Sequence, residues 1–389
     1  MKKKLFTLLG LILIVSFIVE MTATPELALW SGNRCSECHI DYLGSGMRNE
    51  FGWTFGKDAS LFTPDELGLG SLYDLDKKDY SFGNGWLALG TDFRMQTARS
   101  HKTDDAVRKV FPMQAALYAN SSPNDWIMLE AKYNFGPKIF NGQTLWNAAI
   151  TFSLLDELPA IKIGRFQPAM GLMDCDMTML DRRVAAPDGT EVLIAVDYAE
   201  YGLELIYESL DWLTVSAGVF DSKMLSEVKL FGGQEHLIGV ESNPSFNLRF
   251  LFWPSAFYYD MPDMHIGAST FINGKFVYNN VFAGIAVSED IQFYAKYAGT
   301  NLPFSRNTNN YIAGINYIPY KGVILGLRGE TGKTTYYFTG TGTSLITNHI
   351  VANAKIMLMP YFEIIPEYRW MDTEEYHSLR WVLQMHLYY

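Results

Sequence analysis

From Trp86 to Tyr389 the sequence alternates apolar and polar side chains with a period of two, and little else can fold from that pattern but strands. Leu87, Leu89, Thr91, Phe93 and Met95 stand against Ala88, Gly90, Asp92, Arg94 and Gln96. Ile127, Leu129, Ala131, Tyr133 and Phe135 stand against Met128, Glu130, Lys132 and Asn134. Tyr201, Leu203, Leu205 and Tyr207 oppose Glu200, Gly202, Glu204 and Glu208. The alternation runs to the chain end: Leu379, Trp381, Leu383, Met385, Leu387 and Tyr389 are interleaved with Ser378, Arg380, Gln384 and His386.

A soluble sandwich also alternates, so the choice rests on three further features. Strand segments reach about ten residues, the length of a tilted membrane-crossing strand. Aromatic residues gather at strand ends, as at Tyr133/Phe135, Tyr294/Tyr297, Tyr317/Tyr320, Tyr361/Phe362 and Tyr368/Trp370, where they would form interfacial girdles. Short connections (Pro123–Asp125, Ser209–Asp211, Ser288–Asp290, Tyr320–Gly322) alternate with long ones (Pro137–Gln143, Gln167–Asp197, Asp221–Ser245). Together these predict a mostly β fold: an outer-membrane antiparallel β-barrel of about 16 strands, preceded by a small α-helical haem c segment at or inside the pore. The stretch from Leu237 to Phe252 leaves one or two strands open.

Before the barrel, Lys2, Lys3 and Lys4 precede an apolar run from Leu5 to Val19, the pattern of a secretory signal. An uncleaved anchor is the alternative, but the run falls short of the ~20 residues a spanning helix needs. The chain therefore divides into a signal peptide (1–24), a monohaem cytochrome segment (25–78) and a barrel (79–389). The formal net charge of −11 argues against nucleic acid as a partner.

The segment 25–78 carries Cys35-Ser36-Glu37-Cys38-His39. The spacing Cys-x-x-Cys-His is the attachment sequence of a c-type haem: two thiols reach the two vinyl groups of one porphyrin, and the next side chain is the proximal iron ligand. A Cys35–Cys38 disulfide or half of a zinc site is the alternative, and the remaining cysteine, Cys175, offers no second pair. One covalent haem c is thus expected on Cys35, Cys38 and His39. Met47 is the nearest soft candidate for the sixth position, with a barrel ligand or an open site as alternatives. Arg34 is the candidate partner for a propionate. Trp30, Tyr42, Phe51, Trp53 and Phe55 are candidates for haem packing, although so short a segment cannot bury a porphyrin alone. The wall of the barrel would supply the rest.

Elsewhere, Met170, Met173, Asp174, Cys175, Asp176, Met177, Met179, Asp181, Arg182 and Arg183 crowd one long loop. Its carboxylates could attract Fe²⁺ at the outer mouth, or the loop could simply be solvated or form a plug. Asp92, Arg94, Glu130, Lys132, Glu204, Arg328 and Glu330 fall on the lumen face and read as charges lining a wet interior. Gly329-Glu330-Thr331-Gly332-Lys333-Thr334 lacks the earlier glycine of a phosphate loop and lies on a strand.

Gly32, the Cys35-x-x-Cys38-His39 motif and Asn49-x-Phe51-Gly52-x-x-Phe55 resemble the fused cytochrome–porins, outer-membrane proteins typified by bacterial iron oxidases. Gly44-Ser45-Gly46 makes the spacing slightly longer than the family's, and the Phe-Gly element is similar to one in other small exported cytochromes. The resemblance implies electron transfer from an extracellular donor such as Fe(II) to a periplasmic cytochrome, in a barrel set in outer-membrane lipid. A possible Fe(II) oxidase is the enzymatic form of that reading. The alternatives are a diffusion porin or transport barrel with a structural or sensory haem plug, and a haem peroxidase.

Overall fold

A computed structural model describes residues 25–44, 46–69, 81–83, 86–101, 107–135, 146–155, 157–172, 179–182, 193–194, 198–226, 244–257, 261–302, 306–337, 342–373 and 377–389. The predicted signal and Cys175 lie outside the described residues, as do Met173, Asp174, Asp176, Met177 and Arg183.

Three short helices lead: α1 (Pro25–Ser31), α2 (Cys35–Cys38) and α3 (Glu50–Asp58). Sixteen strands follow. The first eight are β1 (Ala88–His101), β2 (Val107–Asn124), β3 (Ile127–Asn134), β4 (Trp146–Phe152), β5 (Ala160–Phe166), β6 (Glu200–Leu210), β7 (Leu213–Phe220) and β8 (Ser245–Phe252). The second eight are β9 (Met264–Asn273), β10 (Phe276–Ser288), β11 (Ile291–Leu302), β12 (Arg306–Tyr320), β13 (Val323–Tyr336), β14 (Thr343–Met359), β15 (Phe362–Thr373) and β16 (His377–Tyr388). Each strand pairs with its sequence neighbours, and β1 closes on β16 from Asp92↔Tyr388 to His101↔Leu379. The ring has no free edge, which is how a sheet satisfies its backbone in hydrocarbon. The predicted fold class and strand count hold, and the open stretch 237–252 contributes a single described strand, β8.

The period of two sorts side chains as expected. Leu89, Phe93, Leu129, Leu203, Leu248, Leu327 and Trp381 are exposed on the outside, while Asp92, Arg94, Glu204, Arg249, Glu330 and His386 are buried on the inside. Such a surface is stable only against lipid. Apart from the 11-residue link between β8 and β9, which carries a 3-10 turn at Pro254–Phe257, and the 7-residue link between β4 and β5, the connections at the end that holds both strand termini are two-residue turns. That end is the periplasmic one. At the other end the β9–β10 connection, Gly274-Lys275, is a two-residue turn among longer loops.

Two aromatic pairs depart from the girdle reading. Tyr297 faces outward, but Tyr294 packs in the lumen with Met179, Leu180 and Ile312. Tyr361 takes φ 62°, unusual for a residue with a Cβ, at the turn between β14 and β15. Its ring is buried, and its hydroxyl donates to the Trp53 carbonyl at 3.0 Å.

Among the described residues the lumen is occupied from both ends, and its charges are buried against protein rather than lining a wet channel. From the periplasmic side, α1 inserts Leu27 among Ala59, Ile318, Ile324 and Met357. From the other side, the loop after β5 folds inward: Met170, Leu193, Ile194 and Tyr198 pack with Phe166, Phe220, Phe271 and Tyr278. The two intrusions meet where Ala28 touches the Leu172 cluster and where Tyr42 and Leu43 touch Ala169.

Candidate functional site

The Cys-x-x-Cys-His stretch lies within the lumen, near its periplasmic end. Cys35 and Cys38 are the first and last residues of the single turn of α2, and His39 is its C-cap, with its N–H on the Cys35 carbonyl at 3.0 Å. All three side chains are buried, and the two thiols are unpaired.

Asn49 explains why α3 follows at this spacing. It caps α3 by accepting from Gly52 N at 2.9 Å, and its amide donates to the carbonyls of Ser36 and Glu37 at 3.2 and 2.9 Å. One side chain thereby fastens α3 to α2. Gly52 completes the junction: a Cβ there would lie 2.0 Å from the Cys38 carbonyl oxygen. Gly44 does the same at the other cysteine, with φ 83° and a Cβ position 2.9 Å from Cys35 Cβ.

Between the helices the chain makes a narrow ribbon. Asn49 N donates to Cys38 O at 3.1 Å, His39 bridges Arg48, and Ile40 N donates to Met47 O at 3.0 Å. Directly opposed residues share a face of such a ribbon, and successive residues alternate. His39 and Arg48 therefore share one face and Ile40 and Met47 the other. Met47 packs with Ile40, Ala88, Ala116 and Tyr118, away from the imidazole. A cavity of about 60 Å³ lies on that side, reached by Met47, Glu130 and Phe166.

The segment is tied to the wall by charged and polar contacts. Lys162 pairs with Glu130 at 2.6 Å and with Asp41 at 3.5 Å. Arg34 pairs with Glu37 at 3.2 Å and donates to the Glu208 carbonyl at 3.1 Å, with Asp211 at 3.9 Å. The predicted propionate partner is thus already engaged at the rim. Glu204, inward from β6, accepts from Tyr42 Oη through one oxygen; the other accepts from Ala169 N at 3.2 Å and from Asn247 Nδ2 at 2.8 Å. The alternation put Glu204 on the lumen face, but its role as a joint depends on two segments meeting across the lumen and leaves no local signal.

Of the predicted packing aromatics, Tyr42 and Trp53 are buried and Phe55 packs against the Leu27 cluster, but Phe51 is exposed. Trp53 stacks on Tyr361 at 5.8 Å, and Tyr361 meets Tyr388 and Tyr389 at 6.1 and 5.6 Å. Asp181 is buried in the lumen and pairs with Lys296 at 3.8 Å, so this loop carboxylate does not face the outer mouth.

The donors are of the type a covalent haem needs, two buried thiols and an adjacent imidazole. Burial pushes Cys35 up to about 11 and Cys38 up to about 12, helped by the nearby carboxylates Glu208 and Glu37 respectively. Such thiols stay protonated near neutral pH when no metal is bound and are slow redox groups. Thioethers carry no charge and suit the same burial. Among the described residues no group of three or more His, Cys, Asp or Glu is placed to hold a metal ion.

No protein-family profile and no curated protein matches the chain. Solved structures do. The outer-membrane channel DcaP of Acinetobacter baumannii aligns with TM-score 0.53 at 10% identity, over 78% of this chain and 97% of that one. OprB of Pseudomonas putida gives 0.53 at 11%, over 79% and 95%. OmpF of Salmonella typhi gives 0.53 at 11%, over 79% and 99%. What the chain shares with them is the fold, the closed 16-stranded barrel of outer-membrane porins.

Proposed function

We propose that the chain is a plugged outer-membrane barrel that carries one covalent haem c on Cys35 and Cys38 with His39 as proximal ligand, and that it transfers electrons. The observation that carries this reading is the buried, unpaired Cys35/Cys38 pair followed by His39, in a segment seated inside a membrane barrel. A haem there supplies one-electron chemistry. Cys35 and Cys38 would hold it and His39 would ligate its iron, with the wall and α3 the only elements near enough, among the described residues, to shield it. The site near the periplasmic end suits exchange with a periplasmic cytochrome. An extracellular donor such as Fe(II) would have to act past the inward loop or through a partner, because the outer half of the lumen is packed with Met170, Leu193, Ile194 and Tyr198. Met47 as sixth ligand would require the ribbon to turn over, and Arg34 as propionate partner would require it to leave Glu37.

A diffusion porin is the second reading, and the comparisons favour it, because porins and an outer-membrane channel are what the barrel aligns with. The filled lumen weighs the other way. Purified protein from a host competent in haem attachment separates the two. The electron-transfer reading expects a c-type spectrum reducible by dithionite and by an outer donor such as Fe(II), with little solute flux in liposomes. A colourless protein that passes solutes supports the porin.

A further inference from the structure

We infer that the outer wall of the barrel holds one phospholipid with an anionic headgroup, its acyl chain in a groove across β9–β13 and its phosphate beside Lys333. This needs only the membrane barrel and stands apart from the haem reading. The groove has a volume of about 660 Å³. Its exposed lining residues Ile266, Val281 and Tyr311 belong to the lipid-facing side of the wall. Its floor is one row of the sheet, Ile266–Ala283–Ala295–Ala313–Gly329, each residue directly paired with the next.

Four neighbouring strands thus present three alanines and a glycine between larger outward residues. Phe293 and Leu327 border the groove on its periplasmic side. Tyr297 and Tyr311, with ring centres 5.3 Å apart, border it on the outer side, where an aromatic belt meets headgroups. A Cβ built on Gly329 meets nothing within 4 Å, so the floor is open there. The row also climbs. Its pairing begins at Phe252, at the periplasmic end of β8, and continues past Gly329 through Ile350 to Trp370 and Leu379, near the outer ends of β15 and β16. A chain lying in the groove therefore descends toward β9 from a headgroup near β13, in the outer leaflet.

That end offers donors to an anion. Lys333 lies beyond Gly329 on the same face of β13, about 13 Å along the strand. Its side chain is exposed and has no ion pair among the described residues. Asn309 stands directly opposite Lys333. Its carbonyl oxygen accepts from the Tyr297 hydroxyl at 2.8 Å, which leaves the amide hydrogens for another acceptor. Gly299 permits this contact, since a Cβ there would come 2.3 Å from that hydroxyl. A cation and an amide together meet a phosphate, whereas the apolar floor alone would accept any acyl chain.

Native mass spectrometry of the full-length protein in detergent tests this, with dipalmitoylphosphatidylglycerol and dipalmitoylphosphatidylcholine as probes. The parent retains one phosphatidylglycerol per chain and prefers it about fivefold, the effect of one lysine near an anionic headgroup. K333Q loses the preference and keeps the lipid more weakly. A313L/G329L fills the groove and lowers the occupancy of both lipids, while V219L, on the outside of β7, changes neither. Equal retention of the two lipids by the parent, or an unchanged preference in K333Q, overturns the headgroup assignment. Unchanged occupancy in a folded A313L/G329L, or an equal loss in V219L, overturns the groove. If A313L/G329L does not yield a heat-modifiable barrel, K333Q decides.

Discussion

Tyr42 donates its hydroxyl to Glu204, and through that carboxylate the N-terminal segment is joined to the inward loop of the barrel. Tyr42 comes from just past the cysteine motif and Glu204 from the middle of β6. The second oxygen of Glu204 holds the Ala169 amide and the Asn247 side chain. One buried side chain thereby fixes both halves of the plug.

Removing this joint should loosen the plug without opening the barrel. Tyr42→Phe leaves one buried carboxylate oxygen without its donor, at about 1–3 kcal/mol. Hydrogen exchange should rise in residues 39–48 and stay unchanged in β10–β14. Glu204→Ala releases both segments, so its conductance in planar bilayers should exceed that of the parent. Equal conductance would mean that the joint does not hold the pore shut.

Gly52→Ala should separate α3 from α2. The added methyl meets the Cys38 carbonyl at 2.0 Å, and that backbone cannot yield without moving the motif. Overpacking of this kind costs about 1–3 kcal/mol or more. The expected outcome is loss of haem attachment with the heat-stable barrel retained, seen as an unstained band of unchanged mobility. Gly68→Ala, with open space around its Cβ position, should be mild apart from its positive φ.

Protein made without the attachment machinery should keep its thiols protonated well into alkali. Cys35 is pushed up to about 11 and Cys38 to about 12 by burial, against an ordinary value of 9.0. Raised acids of this sort contribute stability that is fully present below pH 9 and is lost as pH climbs through 11 to 12. Alkylation should therefore be slow at pH 8 and rise steeply above pH 10. In the holoprotein neither cysteine should react at any pH.

The outer wall should answer to depth. Leu383 lies mid-strand on the outside of β16, and Leu387 lies near its periplasmic end. Leu383→Arg should cost about 2–4 kcal/mol in lipid and Leu387→Arg about 0–1 kcal/mol, measured by unfolding in bilayers. Equal costs would argue against this embedding.

What the sequence made legible is whatever repeats or is local. The period of two located the wall, and turn chemistry at Ser288-Glu289-Asp290 or Tyr320-Lys321-Gly322 divided it into strands. The cysteine motif was legible because haem chemistry demands a fixed spacing. The rest depends on contacts between distant segments. Tyr294 has the parity of a lumen residue, yet its closeness to Tyr297 suggested a girdle. Tyr361 lies at a strand end like a girdle residue but turns inward, because Trp53 offers its carbonyl there. Met47 is the nearest methionine to His39 in sequence, and the ribbon register puts it on the opposite face from His39. Arg34 looked available because Glu37 and the β6–β7 turn are brought to it only by folding.

The central claim is a single haem fixed to Cys35 and Cys38 inside a membrane barrel. The intact mass of the mature protein, from a host competent in haem attachment and paired with its visible spectrum, tests it most directly. The account predicts a mass raised by one haem, with a c-type spectrum that is lost in Cys35→Ala/Cys38→Ala. An unmodified mass with two alkylatable thiols and no visible absorption would contradict it.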